Sequence, residues 1–424
     1  MNLFSPDLSN CKCGYKHPKI DTVVEIGRGL LPKTAEILKD FPHKILVVAD
    51  KNTLKASEGL LDVLKLGGFD YGLHCYDNCI EADIAQVKEI EGILSPYDGA
   101  LAVGSGSIGD ICRMASFNVG KAFAIFATAP SMDGFASNSA PITFNGYKDS
   151  IICHMPSYII GDSDILAKAP DELKSAGFGD IIAKYVALVD WQIATLVSDE
   201  YYCPSVAGLV KNLLEKTMAL ADNVTQKDPQ AAQAIMEGLV LSGICMTLAN
   251  NTRPASGAEH LLSHYWEMKK LENGEPMPFH GAKVGVGTLI TAKLYHDIAE
   301  GKVGSPTFQE DNTDWEAVYK AYGPRQKDML DRLNNPFILD KTSPAILQEN
   351  WPEICRLVKE ELPSYTEMLK LMQKAKAVTE ISEIEVERQL AVEALKYHPY
   401  MRYRINLTSL LNMLGLKPDY ESYI

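Results

Sequence analysis

Three of the chain's nine histidines, His260, His264 and His280, fall within residues 253–288, RPASGAEHLLSHYWEMKKLENGEPMPFHGAKVGVGT. His260 and His264 are spaced i, i+4, so on a helix they share one face. The stretch GAEHLLSHYWEMKKL is rich in helix formers and has no breaker after Gly257. Asn273, Gly274, Pro276 and Pro278 then predict a loop. HGAKVGVGTLITAKLYHDIA predicts a second helix, opening with His280. Two helices joined by that loop can aim His260 or His264, together with His280, at one point. Imidazole is the commonest protein metal ligand near neutral pH. A pair of histidines is not yet a catalytic metal site, which needs a third ligand and an open position. Asp180, in GFGDIIAK, is a candidate because an apolar context is costly for a carboxylate unless it is paired or binds a cation. Asp180, His260 and His280 would supply a carboxylate and two imidazoles. That set suits Zn²⁺, Ni²⁺ or Fe²⁺.

A second constellation lies upstream. After the apolar run ALAV comes Gly104-Ser-Gly106-Ser107-Ile108-Gly109-Asp110, a G-x-G-x-x-G pattern leading into DICRMASF. Glycines let a backbone approach a pyrophosphate, and a helix N-terminus favours its negative charge. The placement is unusual, because the turn follows the third or fourth predicted strand rather than the first. The acid at a strand end, Asp50, lies upstream and is a candidate for the adenosine ribose, or alternatively an N-cap carboxylate. Thr128, Ala129, Pro130 and Ser131 end the next apolar run. They are expected at the same carboxyl edge of the sheet, where ligands bind in open α/β folds.

The elements that must position these groups follow from hydrophobic pattern. TVVEIG, KILVVAD, GLHCY, ALAVG, AFAIFAT and SYIIGD predict strands alternating with helices such as NTLKASEGLLDVLKL and EADIAQVKEIEGIL, which means a parallel α/β sheet. PITFNGYKDSIICH predicts a hairpin turning at Asn145-Gly146. From about residue 166 the pattern is helical throughout, in SAGFGDIIAKYVALVDWQIA, PSVAGLVKNLLEKTMALADNV, AAQAIMEGLVLSGICMTLA and ISEIEVERQLAVEALKYH. The expected architecture is a Rossmann-like α/β domain over residues 1–165 and an all-α domain over 166–424 with a helical C-terminal extension.

The 424-residue length favours two domains, and 46% hydrophobic with 23% charged residues is ordinary for a globular chain. A net charge of −14 argues against a nucleic-acid partner, since no surplus of Lys and Arg can neutralise phosphates. No run approaches the roughly 18 consecutive apolar residues of a membrane span. The start, MNLFSPDLSNCKCGYKHP, lacks the basic and apolar regions of a signal peptide, so a cytoplasmic protein is expected. The nine scattered cysteines then read as reduced thiols. Cys11, Cys13 and His17 have the spacing of half a zinc site. No second cysteine pair with ligand spacing follows, so a turn is the expected reading.

GSGSIGD, TAPSMDGFASNSAPI, GFGDIIAK, RPASGAEHLLSHYWE and HGAKVGVGT, in this order over residues 20–300, resemble the sn-glycerol-1-phosphate dehydrogenases, in particular their bacterial, AraM-like branch. That family belongs with glycerol dehydrogenase, iron-containing alcohol dehydrogenases and dehydroquinate synthase. The resemblance implies a dehydroquinate synthase-like fold, a homodimer and one divalent metal ion, Ni²⁺ or Zn²⁺, on Asp180, His260 and His280. It implies NAD or NADP on Asp50, on the turn at Gly106–Asp110, on Thr128 to Ser131 and on Ser137, with Asp133, Asp180 and His264 at the substrate. Without the resemblance, Asp133 in MDGFAS reads as a turn residue.

The implied reaction is reversible reduction of dihydroxyacetone phosphate to sn-glycerol 1-phosphate. His264, one turn from His260, is placed to orient hydroxyls or relay the proton, as is a water. Arg253 and Lys184 are the candidate phosphate cations, since each lies beside a ligand motif. A carboxylate at Asp50 would repel a 2′-phosphate and favour NAD, and Lys51 beside it would soften that preference. The competing readings are a glycerol dehydrogenase, a dehydroquinate synthase-like cyclase and a catalytically dead binding protein. Against the cyclase, Gly257 stands where that family has Asn.

Overall fold

The computed structural model describes residues 3–78, 81–104, 106–144 and 147–424. Eight strands precede residue 163: β1 Val23–Gly27, β2 Lys44–Asp50, β3 Asp70–Tyr76, β4 Gly99–Gly104, β5 Ala122–Ala127, β6 Ser139–Phe144, β7 Tyr147–Ile152 and β8 Tyr158–Asp162. Six form a parallel sheet in the order β1-β8-β5-β4-β2-β3, and β6 and β7 form an antiparallel hairpin. The near-continuous apolar runs of β2 and β4 suit strands covered on both faces, and β4 is buried at every position. The predicted strands therefore recur with small shifts at their ends. The hairpin turn expected at Asn145-Gly146 lies outside the described residues.

The strand order explains the displaced glycine turn. After β2 the chain runs to β3 at one edge, then returns to place β4 on the other side of β2. The direction of winding reverses between β2 and β4, and the crevice at the carboxyl ends of such strands is where open α/β sheets take ligands. Asp50 ends β2 and Gly104 ends β4, so both lie at this crevice. Position in the sheet matters here, and position in the chain does not.

Past β8 the described residues contain helices and no strand. The long helices are Asp171–Ile182, Lys184–Val197, Pro204–Met218, Pro229–Ala249, Ala258–Asn273 and His280–Ala299. The stretch expected as one helix through Asp180 divides at Ala183. The stretch after β2 also divides, where Gly59 takes φ 93°. In the extension, Glu385 at φ 52° separates a short 3-10 turn from the helix Arg388–Tyr397. The helix Pro229–Ala249 is long and apolar enough to cross a bilayer, yet most of it is buried inside the fold.

Two glycine contacts set the spacing of the site helices. A Cβ on Gly281 would stand 1.9 Å from the carbonyl oxygen of Ala176, and one on Gly177 would stand 2.0 Å from that of Pro130. The first brings the start of the His280 helix against the Asp180 helix. The second brings the Asp180 helix against the loop that leaves β5.

Candidate active site and metal centre

Asp180, His260 and His280 converge, with one ligand atom from each lying within 4.8 Å of the others. Asp180 is fully buried. Its Oδ1 accepts from Lys184 Nζ at 2.6 Å and stands 3.6 Å from His260 Nε2. Its Oδ2 accepts from the backbone N–H of Asp133 at 2.9 Å. Burial alone would raise the Asp180 carboxyl, but the Lys184 ammonium and the neighbouring imidazoles outweigh it and hold the group well below the carboxylate range. Lys184 is equally buried and also donates to Asp133 Oδ2 at 2.7 Å, which accepts from Ser242 Oγ at 2.9 Å as well.

Glu259 completes the group. Its Oε1 lies 2.7 Å from His260 Nδ1 and accepts from the N–H of Gly257 at 2.7 Å. A carboxylate on Nδ1 fixes the proton there and leaves the Nε2 lone pair facing Asp180, the usual outer-shell arrangement of a metal-binding histidine. Burial pulls the His280 imidazole down to about 4, so it is neutral and competent as a ligand. His264 belongs to the same cluster, its ring centroid 6.2 Å from that of His260 and 6.0 Å from that of His280. Burial pulls it down to about 3.

The donor set fits a divalent cation. Asp133, Asp180 and Glu259 are the carboxylates, and Lys184 is the cation bonded to the first two, while Glu259 meets His260. Three carboxylates against one ammonium leave the group short of positive charge, in surroundings where uncompensated charge is costly. Two imidazole nitrogens and one carboxylate oxygen leave the open position a catalytic centre requires.

Of the two expected substrate cations, Arg253 is engaged elsewhere and Lys184 is engaged within the metal group. Arg253 is buried and makes a two-pronged pair with Glu200, both contacts 2.6 Å, and a third bond of 2.6 Å to the carbonyl of Ile405. It fastens the C-terminal extension ahead of the His260 helix, with all three guanidinium nitrogens engaged. Lys184 is spent on Asp133 and Asp180. Adjacency to a ligand motif in sequence gave the direction of Lys184, which does face the metal group, and misled for Arg253.

A different set of cations adjoins the histidines. Buried Glu267 lies 3.4 Å from His264 Nδ1, 2.9 Å from Lys148 Nζ and 3.5 Å from Lys283 Nζ. Burial pushes the Glu267 carboxyl up, but Lys283 and Lys148 override it and hold it well below its ordinary value. Arg402 in the C-terminal extension is near enough for its charge to pull His264 down further. It donates to the carbonyl of Met401 at 3.0 Å and has no carboxylate partner among the described residues. Lys283 had a sequence signal, one turn after His280 on the same helix. Lys148 and Arg402 had none.

On the nucleotide side, the helix Gly106–Asn118 opens directly at the glycine turn. A Cβ on Gly106 would stand 2.2 Å from the Met132 methyl, and one on Gly104 would stand 2.9 Å from Ile108, whereas Gly109 has ordinary room. Ser107 lies in the first turn of that helix. Asp110 points into the core, where its Oδ1 takes Arg113 at 2.6 Å, and burial pushes its carboxyl up to about 6. Asp50 is the N-cap of the helix Lys51–Ala56, its Oδ1 accepting from the amides of Asn52 and Thr53 at 2.7 and 2.9 Å. Lys51 turns to Asp77 at 2.7 Å, away from Asp50's capping contacts. Thr128 donates its N–H to Gly104 at 3.3 Å, so Thr128, Ala129, Pro130 and Ser131 border the glycine turn. Asp133 and Ser137 flank a 3-10 turn, Asp133–Ala136, and Ser137 Oγ lies 3.0 Å from Ser139 Oγ.

Residues 25–170 match the family described as iron-containing alcohol dehydrogenase. A glycerol-1-phosphate dehydrogenase (NAD(P)⁺) of Halalkalibacterium halodurans is 37% identical over 317 residues, covering 71% of this chain and 77% of the relative. The enzyme of that name from Geobacillus stearothermophilus is 34% identical over 344 residues, covering 77% and 83%. One from Pyrococcus furiosus is 34% identical over 295 residues, covering 67% and 83%. The chain belongs to the glycerol-1-phosphate dehydrogenase family. In fold it resembles a probable glycerol dehydrogenase of Sinorhizobium meliloti, with TM-score 0.62 and 13% identity over 95% of this chain and 97% of that one. Glycerol dehydrogenase of Schizosaccharomyces pombe is similar at TM-score 0.62 and 16% identity, covering 96% and 91%.

Proposed function

We propose that this chain reduces dihydroxyacetone phosphate reversibly to sn-glycerol 1-phosphate with NADH or NADPH. One observation carries the reading: beside the metal-ready Asp180–His260–His280 group, two ammonium groups, Lys148 and Lys283, gather on the single carboxylate Glu267 next to His264, which leaves positive charge for a phosphate to take up. The nearest alternative, a glycerol dehydrogenase, shares the metal and the dinucleotide and needs no such charge.

Asp180, His260 and His280 hold the divalent ion, Ni²⁺ or Zn²⁺, which when bound supplies Lewis-acid stabilisation of the charge that grows on the ketone oxygen. Glu259 keeps the His260 tautomer and ring orientation. Lys184 keeps Asp180 ionised and holds Asp133 at a fixed distance from it. Asp133 and neutral His264 orient the substrate hydroxyls, and Lys148, Lys283 and Arg402 receive the phosphate through charge-assisted hydrogen bonds. The dinucleotide lies across the β2–β4 crevice, its pyrophosphate at the start of the helix Gly106–Asn118 and its ribose at Asp50. The negative charge of Asp50 favours NADH over NADPH. The same reading has the enzyme work in the cytoplasm as a homodimer.

The test is NADH oxidation by metal-reconstituted protein with dihydroxyacetone phosphate, with dihydroxyacetone and with no carbonyl. Turnover of the phosphate ester well above the unphosphorylated ketone is expected. Equal kcat/KM for the two ketones would make the chain a glycerol dehydrogenase.

A further inference from the structure

The chain turns at residues 9–10 and bends at 13–15, as expected around Cys11, Cys13 and His17, and the fold adds a partner invisible in the local sequence. Residues 3–22 contain no helix or strand, yet the strap they form is folded onto the helical region. There Cys11, Cys13 and His17 meet Cys203, with their ligand atoms all within 4.8 Å of one another. Cys11 Sγ and Cys203 Sγ are 3.6 Å apart, and His17 Nε2 lies 3.2 Å from Cys13 Sγ and 3.5 Å from Cys203 Sγ. A tetrahedron with zinc bonds of about 2.3 Å to sulfur and about 2.05 Å to nitrogen has edges of about 3.8 Å between sulfurs and about 3.6 Å between sulfur and nitrogen. These three separations come within a few tenths of an ångström of those edges, and the remaining three lie within 4.8 Å.

The surroundings are also those of a metal centre. His17 Nδ1 donates to the carbonyl of Leu248 at 2.8 Å, which turns the Nε2 lone pair toward the sulfurs, as for a ligating imidazole. The N–H of Val206 is directed at Cys203 Sγ at 3.4 Å. The Ser205 hydroxyl lies 3.4 Å from Cys11 Sγ and that of Tyr201 lies 3.9 Å from Cys13 Sγ. The Val206 amide is the donor aimed at Cys203, while Cys11 and Cys13 donate to the Ser205 and Tyr201 hydroxyls and Cys13 also reaches the Tyr15 carbonyl at 3.8 Å, contacts that zinc binding would replace as the thiols lose their protons. No disulfide joins the sulfurs, which are all free.

We propose that Cys11, Cys13, His17 and Cys203 bind a structural zinc ion, separate from the Asp180 centre. Three thiolates and an imidazole select zinc among the common divalent ions, and four protein ligands leave no position for a substrate. Cys203 is the N-cap of the helix Pro204–Met218, and Leu248 lies near the end of the helix Pro229–Ala249. The ion therefore pins the N-terminal strap to both helices. Pro229–Ala249 carries Ser242, which bonds Asp133, six residues or about 9 Å of helix from Leu248.

Cobalt(II) is the probe, because sulfur-to-cobalt charge-transfer absorption arises only where thiolates ligate, and the Asp180 group contains no sulfur. Full-length protein produced in cobalt medium is expected to show that band and to hold two metal ions per chain, one for each ligand group. Cys13→Ser and His17→Ala should each lose one equivalent and the band with it, and protease should then cut the strap. Asp180→Asn should lose the other equivalent and keep the band, so failure of the proposed catalytic centre is read separately. Wild-type protein with no charge-transfer band, or with a disulfide between Cys11 and Cys203, would overturn the proposal, and neither reading depends on a variant folding.

Discussion

Arg402→Ala is the cleanest probe of the phosphate site. Lys148 and Lys283 share buried Glu267, so removing either leaves a buried carboxylate short of charge and disturbs the fold as well as binding. Arg402 has no carboxylate partner among the described residues and is only half-buried. Its loss should cost the bond to phosphate and little else. A hydrogen bond between charged groups contributes about 1.5–3 kcal/mol, which corresponds to a fall of about 10- to 150-fold in kcat/KM. Steady-state kinetics on the metal-loaded enzyme should show that loss for dihydroxyacetone phosphate. kcat/KM for unphosphorylated dihydroxyacetone, KM for NADH, metal content and Tm should stay near wild type. Arg253→Ala is the control with the opposite pattern. It leaves Glu200 and the Ile405 carbonyl without their partner, a loss toward the lower end of about 3–5 kcal/mol in stability because Glu200 is partly exposed. Its Tm should fall with no selective effect on the phosphate ester. An Arg402→Ala enzyme that loses activity equally on both ketones would refute the placement of the phosphate.

Three further outcomes follow from the geometry. Glu259→Gln should weaken metal binding about 10- to 100-fold in chelator competition, since the amide no longer supplies the charge that fixes the His260 tautomer. Unchanged affinity would mean Glu259 is not a supporting ligand. Asp50→Ser keeps an N-cap acceptor while removing the charge, so it should raise the NADPH:NADH ratio of kcat/KM with a small change in Tm. A constant ratio would remove Asp50 from the ribose. Asp190 is raised to about 7 by burial, with Glu259 adding to the effect. The folded state thus holds its proton more tightly than the unfolded chain, whose carboxyl titrates near 4. Its contribution to stability should be fully present below about pH 4 and be lost as pH rises toward 7. Denaturant melts of Asp190→Asn should lack that slope, whatever happens to absolute stability, because the amide cannot satisfy the N–H of Ala258 as the carboxylate does.

Much of the architecture was legible in local pattern. Buried runs such as KILVVAD and AFAIFAT are short, bounded and β-rich, and a strand needs little more than that to be recognised. The His280 helix begins at the histidine that the loop residues before it predicted. The i, i+4 spacing of His260 and His264 places both on one helical face, because helical periodicity is a property of the chain alone. Breaks at Gly59 and Glu385 were missed, since a single left-handed residue barely alters an amphipathic pattern.

Whatever depended on direction in space was decided by tertiary structure. Lys184 and Arg253 stand next to ligand motifs in the chain, yet their side chains are consumed by Asp133, Asp180 and Glu200. The cations that adjoin His264 come from a hairpin strand, the His280 helix and the C-terminal extension, segments with no common motif. Cys203 joins Cys11 across 192 residues of chain. The glycine turn follows the fourth strand, and only the reversal of winding between β2 and β4 makes that strand's end a binding crevice. Periodicity and capping act within a few residues and can be read in order. Charge pairing and ligand convergence are settled by packing between distant segments, where burial penalises every group left without a partner, and that penalty has no local trace in the sequence.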